Sequence, residues 1–242
     1  MEAKITPYAD SLLSEKQQVT AMFNNVASRY DFLNHFLSAG IDVLWRRKVI
    51  NLLKEKQPEF ILDMATGTAD LAIAAARLKP KQIIGVDLSA EMLAIGKKKV
   101  ANRNLSGLIQ LMEGDSENLL LESNKFDAVT VGFGVRNFEH LDIGLKEIYR
   151  VMKKDGTFII LEFSRPKLFP VKQLYDFYFK RICPLIGKMI SKDTSAYTYL
   201  YESVKAFPEG KQVLMRLEEA GFRETKWMPL TFGIASVYIA VK

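Results

Sequence analysis

The stretch FILDMATGTAD, Phe60 to Asp70, decides how the rest of the 242-residue chain is read. Phe60, Ile61 and Leu62 form a short apolar run that ends in Asp63. A Thr66-Gly67-Thr68 turn follows, and Leu71 to Leu78 opens as a helix, so the order is strand, tight turn, helix. Gly67 admits a ligand to the backbone where a Cβ would stand in the way. The next apolar run, Ile83 to Val86, ends in Asp87, 20 residues after Gly67. A carboxylate at the tip of a second parallel strand suits a ribose diol, because it accepts two hydroxyl hydrogen bonds. A dinucleotide site wants G-x-G-x-x-G, with a pyrophosphate on the helix N-terminus. Only Gly67 of that set is present, and Asp63 and Asp70 flank the turn. Two carboxylates repel a pyrophosphate but are compatible with a nucleoside carrying an ammonium and a sulfonium. The competing reading is an ordinary α/β turn in which glycine serves packing.

Outward from this stretch, apolar runs and helical patterns alternate. Strands are predicted at 60–65, 82–87, 108–113, 126–132 and 157–163, with helices at about 68–78, 89–101 and 140–153. Such alternation implies an α/β fold with a parallel sheet and helices on both faces, and ligands bind beyond the carboxyl ends of its strands. Thr68, Asp87, Asp115 and Gly132 each fall just past a different strand. Asp115 is placed to accept from an adenine amino group, with the N–H of Ser116 on a ring nitrogen; the alternative is a plain loop acid. Two glycines, Gly132 and Gly134, mark a close backbone approach, and Arg136 and Asn137 follow on a loop at the ligand edge. Arg136 is suited to orient or stabilise a developing oxyanion, or else to pair with a loop acid or a helix C-terminus.

Before the first strand, Ser14 and Gln17 fit a capping box, and Val19, Met22, Phe23 and Val26 repeat at helical spacing. Tyr30 to Asn34 break that pattern, with Tyr30 a core, turn or substrate-contact residue. Asp42 is expected to cap a second helix through Leu53. Residues 164–205 interrupt the alternation with Pro166, Pro170 and Pro184, aromatic residues from Tyr175 to Phe179, and cations from Lys167 to Lys192. Aromatic rings among cations suit either a lipid-facing surface or a lid on the core. Tyr197, Tyr199, Tyr201, Glu202 and Ser203 are candidates to line a substrate pocket. Glu209 to Ala220 reads as a helix ended by Gly221, and Thr225–Leu230 with Gly233–Val241 as a terminal antiparallel hairpin. The expected organisation is one unit: an N-terminal helical layer (1–58), a cofactor-binding core (59–164), a helical insertion (165–205), then a helix and hairpin (206–242).

The totals narrow the classes. A hydrophobic fraction of 48% is ample for a core, yet no run reaches the ~18 apolar residues of a spanning helix. A single Cys, Cys183, excludes an internal disulfide, and with His35 and His140 the only histidines a His/Cys metal site is not expected. A net charge of +6 is compatible with nucleic acid or an anionic membrane surface, but no nucleic-acid module is present. A cytoplasmic protein, at most peripheral on the inner face of the cell membrane, is expected; a homo-oligomer is compatible with these data.

The Asp63–Asp70 turn resembles the first motif of class I S-adenosylmethionine-dependent methyltransferases. With FGVRNF (133–138), LEFSRP (161–166) and YTYLYES (197–203), the chain is similar from about Val19 onward to the ubiquinone/menaquinone biosynthesis C-methyltransferases. MFNNVASRYDFLN and YRVMKKDG extend the likeness. The resemblance implies a Rossmann-like sheet of seven strands with the last reversed. It also implies S-adenosylmethionine as methyl donor and the ring carbon of a prenylated quinol as acceptor, either demethylmenaquinol or the benzoquinol of the ubiquinone pathway. Family cofactor positions map onto Thr68, Asp87, Asp115, Ser116 and Gly132, alongside Asp63 and Gly67. Gly132 stands where relatives often carry Ser, Ala69 where Gly is usual, and Lys154-Asp155-Gly156 where Pro-Gly-Gly is usual. A reduced, deprotonated quinol has the electron-rich carbon that such a transfer needs. Arg136 is then the candidate to stabilise its oxygen and Asn137 to orient it or a water. The base is a held water or a tyrosine such as Tyr197. A non-catalytic S-adenosylmethionine-binding protein is the reading from another class.

Overall fold

A computed structural model of the chain describes residues 5–8, 11–38, 40–182 and 195–242. Cys183, Lys188 and Lys192 lie outside that set. Seven strands form one sheet in the order β3-β2-β1-β4-β5-β7-β6: β1 Phe60–Met64, β2 Gln82–Asp87, β3 Ile109–Glu113, β4 Phe126–Gly132, β5 Met152–Phe163, β6 Arg223–Leu230 and β7 Ala235–Val241. The first five pair parallel, and β7 runs antiparallel to both β5 and β6. The topology reverses between β1 and β4, where sheets of this kind open a crevice.

Alternation within the strands divides the core. Ile61, Ile83, Ala128 and Ile159 pack on one face with Val49 and Leu53 of α2 (Ile41–Lys54), Leu71 of α3 (Asp70–Ala75) and Leu93 of α4 (Ala90–Asn102). Their neighbours Leu62, Ile84, Val129 and Ile160 pack on the other with Leu145 and Ile148 of α5 (Leu141–Val151) and Val213 and Leu217 of α8 (Lys211–Glu219). Both faces are apolar because both are covered, as a parallel sheet requires.

The N-terminal helix α1 runs from Glu15 to Leu37. The capping box forms at its start: Ser14 N–H donates to Gln17 Oε1 (3.0 Å) and Gln17 N–H to Ser14 Oγ (3.3 Å). The predicted break at Tyr30 does not occur. The apolar pattern stops there because the helix passes from covering the core to presenting Asp31 to polar partners, not because the helix ends. Asp42 is not the cap of α2 either. Gly40, at φ 74°, takes the N-cap position, and Asp42, buried in the first turn, accepts from the Ser38 hydroxyl (2.7 Å) and pairs with Arg46. Ala69 keeps the left-handed backbone of the glycine it replaces, at φ 66°. β5 begins at Met152, earlier than predicted, with Lys154-Asp155-Gly156 forming an irregularity inside it; Asp155 is left-handed at φ 64°.

The insertion contains α6 (Val171–Phe177), a π turn (Tyr178–Ile182) and α7 (Ser195–Ala206). No helix among the described residues is long and apolar enough to cross a membrane.

One buried acid ties these layers. Asp63, 1% exposed at the end of β1, accepts from the hydroxyls of Thr66 (2.6 Å) and Thr130 (2.7 Å) and from the N–H of Ala72 (3.1 Å). It joins β1, the turn, α3 and β4. Burial pushes its carboxyl up to about 6, against the lowering effect of those bonds. Between about pH 4 and 6 the unfolded chain releases this proton while the folded chain holds it, so stability present at lower pH is lost as pH rises through that window. Asp63→Ala strands three buried donors and is expected to cost about 3 kcal/mol in urea unfolding at pH 7, with Asp63→Asn costing less and removing that pH slope.

Candidate active site

Beyond the carboxyl ends of β1 to β4 lies a cleft enclosing about 660 Å³ of space, part of it open to solvent. Its floor comes from Met64, Ala65 and Gly67 after β1, Val86 to Ser89 after β2, Gly114 and Ser116 after β3, and Gly132, Phe133, Gly134, Asn137 and Phe138 after β4. Val19, Thr20, Phe23 and Tyr30 of α1 form its roof. A smaller annex, about 380 Å³, adjoins through Tyr30, Ala65, Gly67, Gly132 and Phe133, and is lined further by Arg46, Asp63, Thr66, Thr68, Asp70 and Leu71.

Gly67 has φ +55°, and a Cβ built on it would meet no protein atom within 4 Å. The space beside its backbone is open to a ligand. Asp87 holds the turn in place: Gly67 N–H donates to Oδ2 and Ser89 N–H to Oδ1, both at 2.8 Å. Each oxygen keeps a further lone pair for a diol. Burial raises its carboxyl above the ordinary value against the pull of these backbone donors. The glycines after β4 serve the wall: a Cβ on Gly134 would collide with the Ala65 methyl, and one on Gly132 would stand 3.1 Å from Leu71 Cδ2.

The other predicted residues divide. Ser116, Gly132, Asn137 and Tyr30 line the cleft. Asp63 and Thr68 line only the annex, and the Asp63 oxygens are engaged as described. Asp115 does not line the cleft; Lys16 of α1 pairs with it at 2.7 Å. Arg136, read from sequence either as a ligand-edge cation or as a structural ion-pair residue, is paired with an acid. Its side chain is 5% exposed, its guanidinium bonds Glu162 Oε1 (2.8 Å), the Phe133 carbonyl and Ser203 Oγ (3.3 Å), and it does not line the cleft. Glu162 is 0% exposed and also accepts from the N–H groups of Arg136 and Phe163. A lone acid in the apolar run Phe158–Phe163 was the sequence signal for this pair, since a buried charge demands a partner. Tyr201 lies near the Phe179 ring, 6.2 Å between centroids, away from the cleft lining. The side chain of Tyr197 lies outside what is described.

Sequence reading missed what fastens α1 over the cleft. At one end Lys16 meets Asp115, Glu117 (3.2 Å) and Glu139 (3.9 Å). In the middle Ser89 Oγ donates to Asn24 Oδ1 at 2.7 Å. At the other end Lys99 reaches Asp31 (2.9 Å), Thr68 Oγ1 (3.1 Å) and Asp70, while the Thr68 hydroxyl donates to Asp31. Glu117, Glu139 and His140 form the one group of potential metal ligands among the described residues, and Lys16 already meets its two carboxylates. Removing the Lys99 charge (Lys99→Met) is expected to speed amide exchange in α1 roughly fivefold, about 1 kcal/mol, and leave β1–β4 protected.

The family model described as the ubiE/COQ5 methyltransferase family matches residues 11–242. A demethylmenaquinone methyltransferase of Bacteroides fragilis is 47% identical over 100% of this chain and 98% of its own length. A ubiquinone/menaquinone biosynthesis C-methyltransferase of Geotalea daltonii is 43% identical over 95% of this chain and 99% of its own. Among solved structures, a SAM-dependent methyltransferase of Thermotoga maritima, described as a possible histamine N-methyltransferase, is 20% identical, with a TM-score of 0.64 over 92% of this chain and 99% of that one. A [4+2]-cyclase, SpnF, reaches the same TM-score at 18% identity over 94% of this chain and 96% of its own, so the fold alone does not choose the reaction.

Proposed function

We propose, from the premise that this chain belongs to the ubiE/COQ5 methyltransferase family, that it is an S-adenosylmethionine-dependent demethylmenaquinone methyltransferase. The observation that carries the reading is 45–47% identity to relatives of that name along almost the whole chain, joined to a cleft built for a nucleoside at the sheet's switch point. The residues fit the methyl donor. Open space at Gly67 accepts a ligand against the backbone, Asp87 offers lone pairs to a ribose diol, and Met64, Val86 and Met92 give apolar walls. S-adenosylmethionine, when bound, supplies an electrophilic methyl group on a sulfonium.

The chain's own task is to seat the quinol and exclude water. Apolar lining from Phe23, Phe133 and Phe138 suits an aromatic ring, and α1 shields the cleft from solvent. The hydroxyl loses its proton to solvent or a base, a ring carbon takes the methyl, and the ring C–H proton returns to oxygen as aromaticity is restored; one proton is released overall. Holding both reactants in line supplies several kcal/mol, up to about 7–11 in ideal cases. In this reading Asn137, which borders the cleft, meets the acceptor's oxygen, and Arg136, paired with Glu162, supports the loop that carries it.

The acceptor is lipophilic. Leu168, Phe169, Leu174 and Phe177 are 59–81% exposed, with Lys167 and Lys172 exposed among them, and this patch serves as a peripheral contact with an anionic membrane. Labelled S-adenosylmethionine and a short-chain demethylmenaquinone are expected to give labelled menaquinone only with dithionite present. Product without reductant, or none with it, contradicts the reading. In flotation with anionic liposomes, the protein is expected to float at low salt and a Phe169→Asp/Phe177→Asp variant to stay at the bottom.

A further inference from the structure

Asn137 ends the 3-10 turn Val135–Asn137, its N–H bonded to the Gly134 carbonyl at 3.0 Å, and the residue is one of those bordering the cleft. A planar amide head carries one acceptor and one donor group. Tyr199 of α7, only 5% exposed, donates its hydroxyl to Asn137 Oδ1 at 3.2 Å. We propose that Tyr199 is a positioning residue for the methyl transfer: by engaging the carbonyl of Asn137 it turns the Asn137 amide NH₂ towards the cleft, as a donor to the acceptor's oxygen. The inference rests on the quinol reading above.

The surroundings favour that orientation. Burial pushes the Tyr199 hydroxyl up to about 12, opposed by Arg136 and supported by Glu15 and Glu162, so it carries its proton at any working pH and donates. The nearby cation, Arg136, is held by Glu162 and does not line the cleft. With the guanidinium committed elsewhere, the proposal gives the donor role on this loop to the neutral Asn137 amide. It cannot take the hydroxyl proton, but its hydrogen bond strengthens as negative charge grows on the oxygen. Because Tyr199 sits on α7 and Ser203 of the same helix bonds Arg136, seating α7 completes the reacting edge of the cleft.

The test compares wild type with Tyr199→Phe, Asn137→Ala, Asn137→Asp and the Tyr199→Phe/Asn137→Ala double variant. It measures kcat and KM for a short-chain demethylmenaquinol, the pH dependence of kcat and the Kd of S-adenosylmethionine. Tyr199→Phe keeps the buried ring and is expected to lower kcat about tenfold, with Kd unchanged within roughly twofold and the rising limb of the pH profile moved to higher pH. Asn137→Ala is expected to lose about 100-fold in kcat, and the double variant no more than that, because Tyr199 acts through Asn137. Asn137→Asp presents a carboxylate to an anionic oxygen and is expected to be inactive with cofactor affinity intact. A wild type that methylates no quinol defeats the functional reading itself. An active wild type with an unaffected Tyr199→Phe, multiplicative losses in the double variant, or an active Asn137→Asp overturns the positioning role alone.

Discussion

A carboxylate removed from water is unfavourable unless donors replace the water, and the Asp63 site is arranged around that requirement. Thr66, Thr130 and the Ala72 amide each commit a hydrogen bond to it, so the turn after β1, the start of α3 and the middle of β4 hold fixed positions relative to one another. The turn held this way presents Gly67 at φ +55° and lets its N–H reach Asp87 on the next strand. From one acid at the floor, the backbone geometry of the cofactor side of the cleft follows. The same acid shows that a charge at a motif position can serve the fold: its oxygens accept from Thr66, Thr130 and Ala72 of the protein itself.

The roof works by another principle. α1 buries Val19 and Met22 against Tyr199 of α7 and Val26 and Ala27 against Met92 of α4, not against the strands, and polar contacts at Lys16, Asn24 and Asp31 add to that packing. Such contacts are partly solvated and exchange readily with water, unlike the buried acid below. The site thus joins a floor tied by one buried acid to a roof held by helix packing and partly solvated polar contacts, which suits a cleft that must admit two reactants and then exclude solvent.

The parallel strands were legible because they are buried on both faces and read as nearly continuous apolar runs; four of the five predicted starts lie within a residue of those observed. The fifth, β5, starts earlier because the Lys154-Asp155-Gly156 irregularity hides pairing that continues to Met152. Helix ends were harder. Tyr30-Asp31 looked like a stop since the pattern registers burial, and a helix face turned to a polar cleft has the composition of a turn. At the site, residues just past strand tips were readable from position alone. The pairs Lys99–Asp31, Lys16–Asp115 and Arg136–Glu162 were not, because each joins segments far apart in sequence. Arg136 illustrates the limit: its place on the loop was evident, but the acid that neutralises it lies on a strand 26 residues later.

Trp45 gives the cleft a voice in ultraviolet light. It is one of two tryptophans, 4% exposed, its indole N–H bonded to Thr231 Oγ1 at 2.8 Å and its ring 6.1 Å from that of Phe133. Phe133 borders both the cleft and the annex, so an occupant that displaces it changes the surroundings of a shielded fluorophore. The other tryptophan, Trp227, is 42% exposed on β6 and bonds Ser236. The two sit in surroundings of different solvent exposure, Trp45 shielded and Trp227 part open to water. The chain thereby carries an intrinsic optical gauge beside its cleft, with an internal reference on the far edge of the sheet.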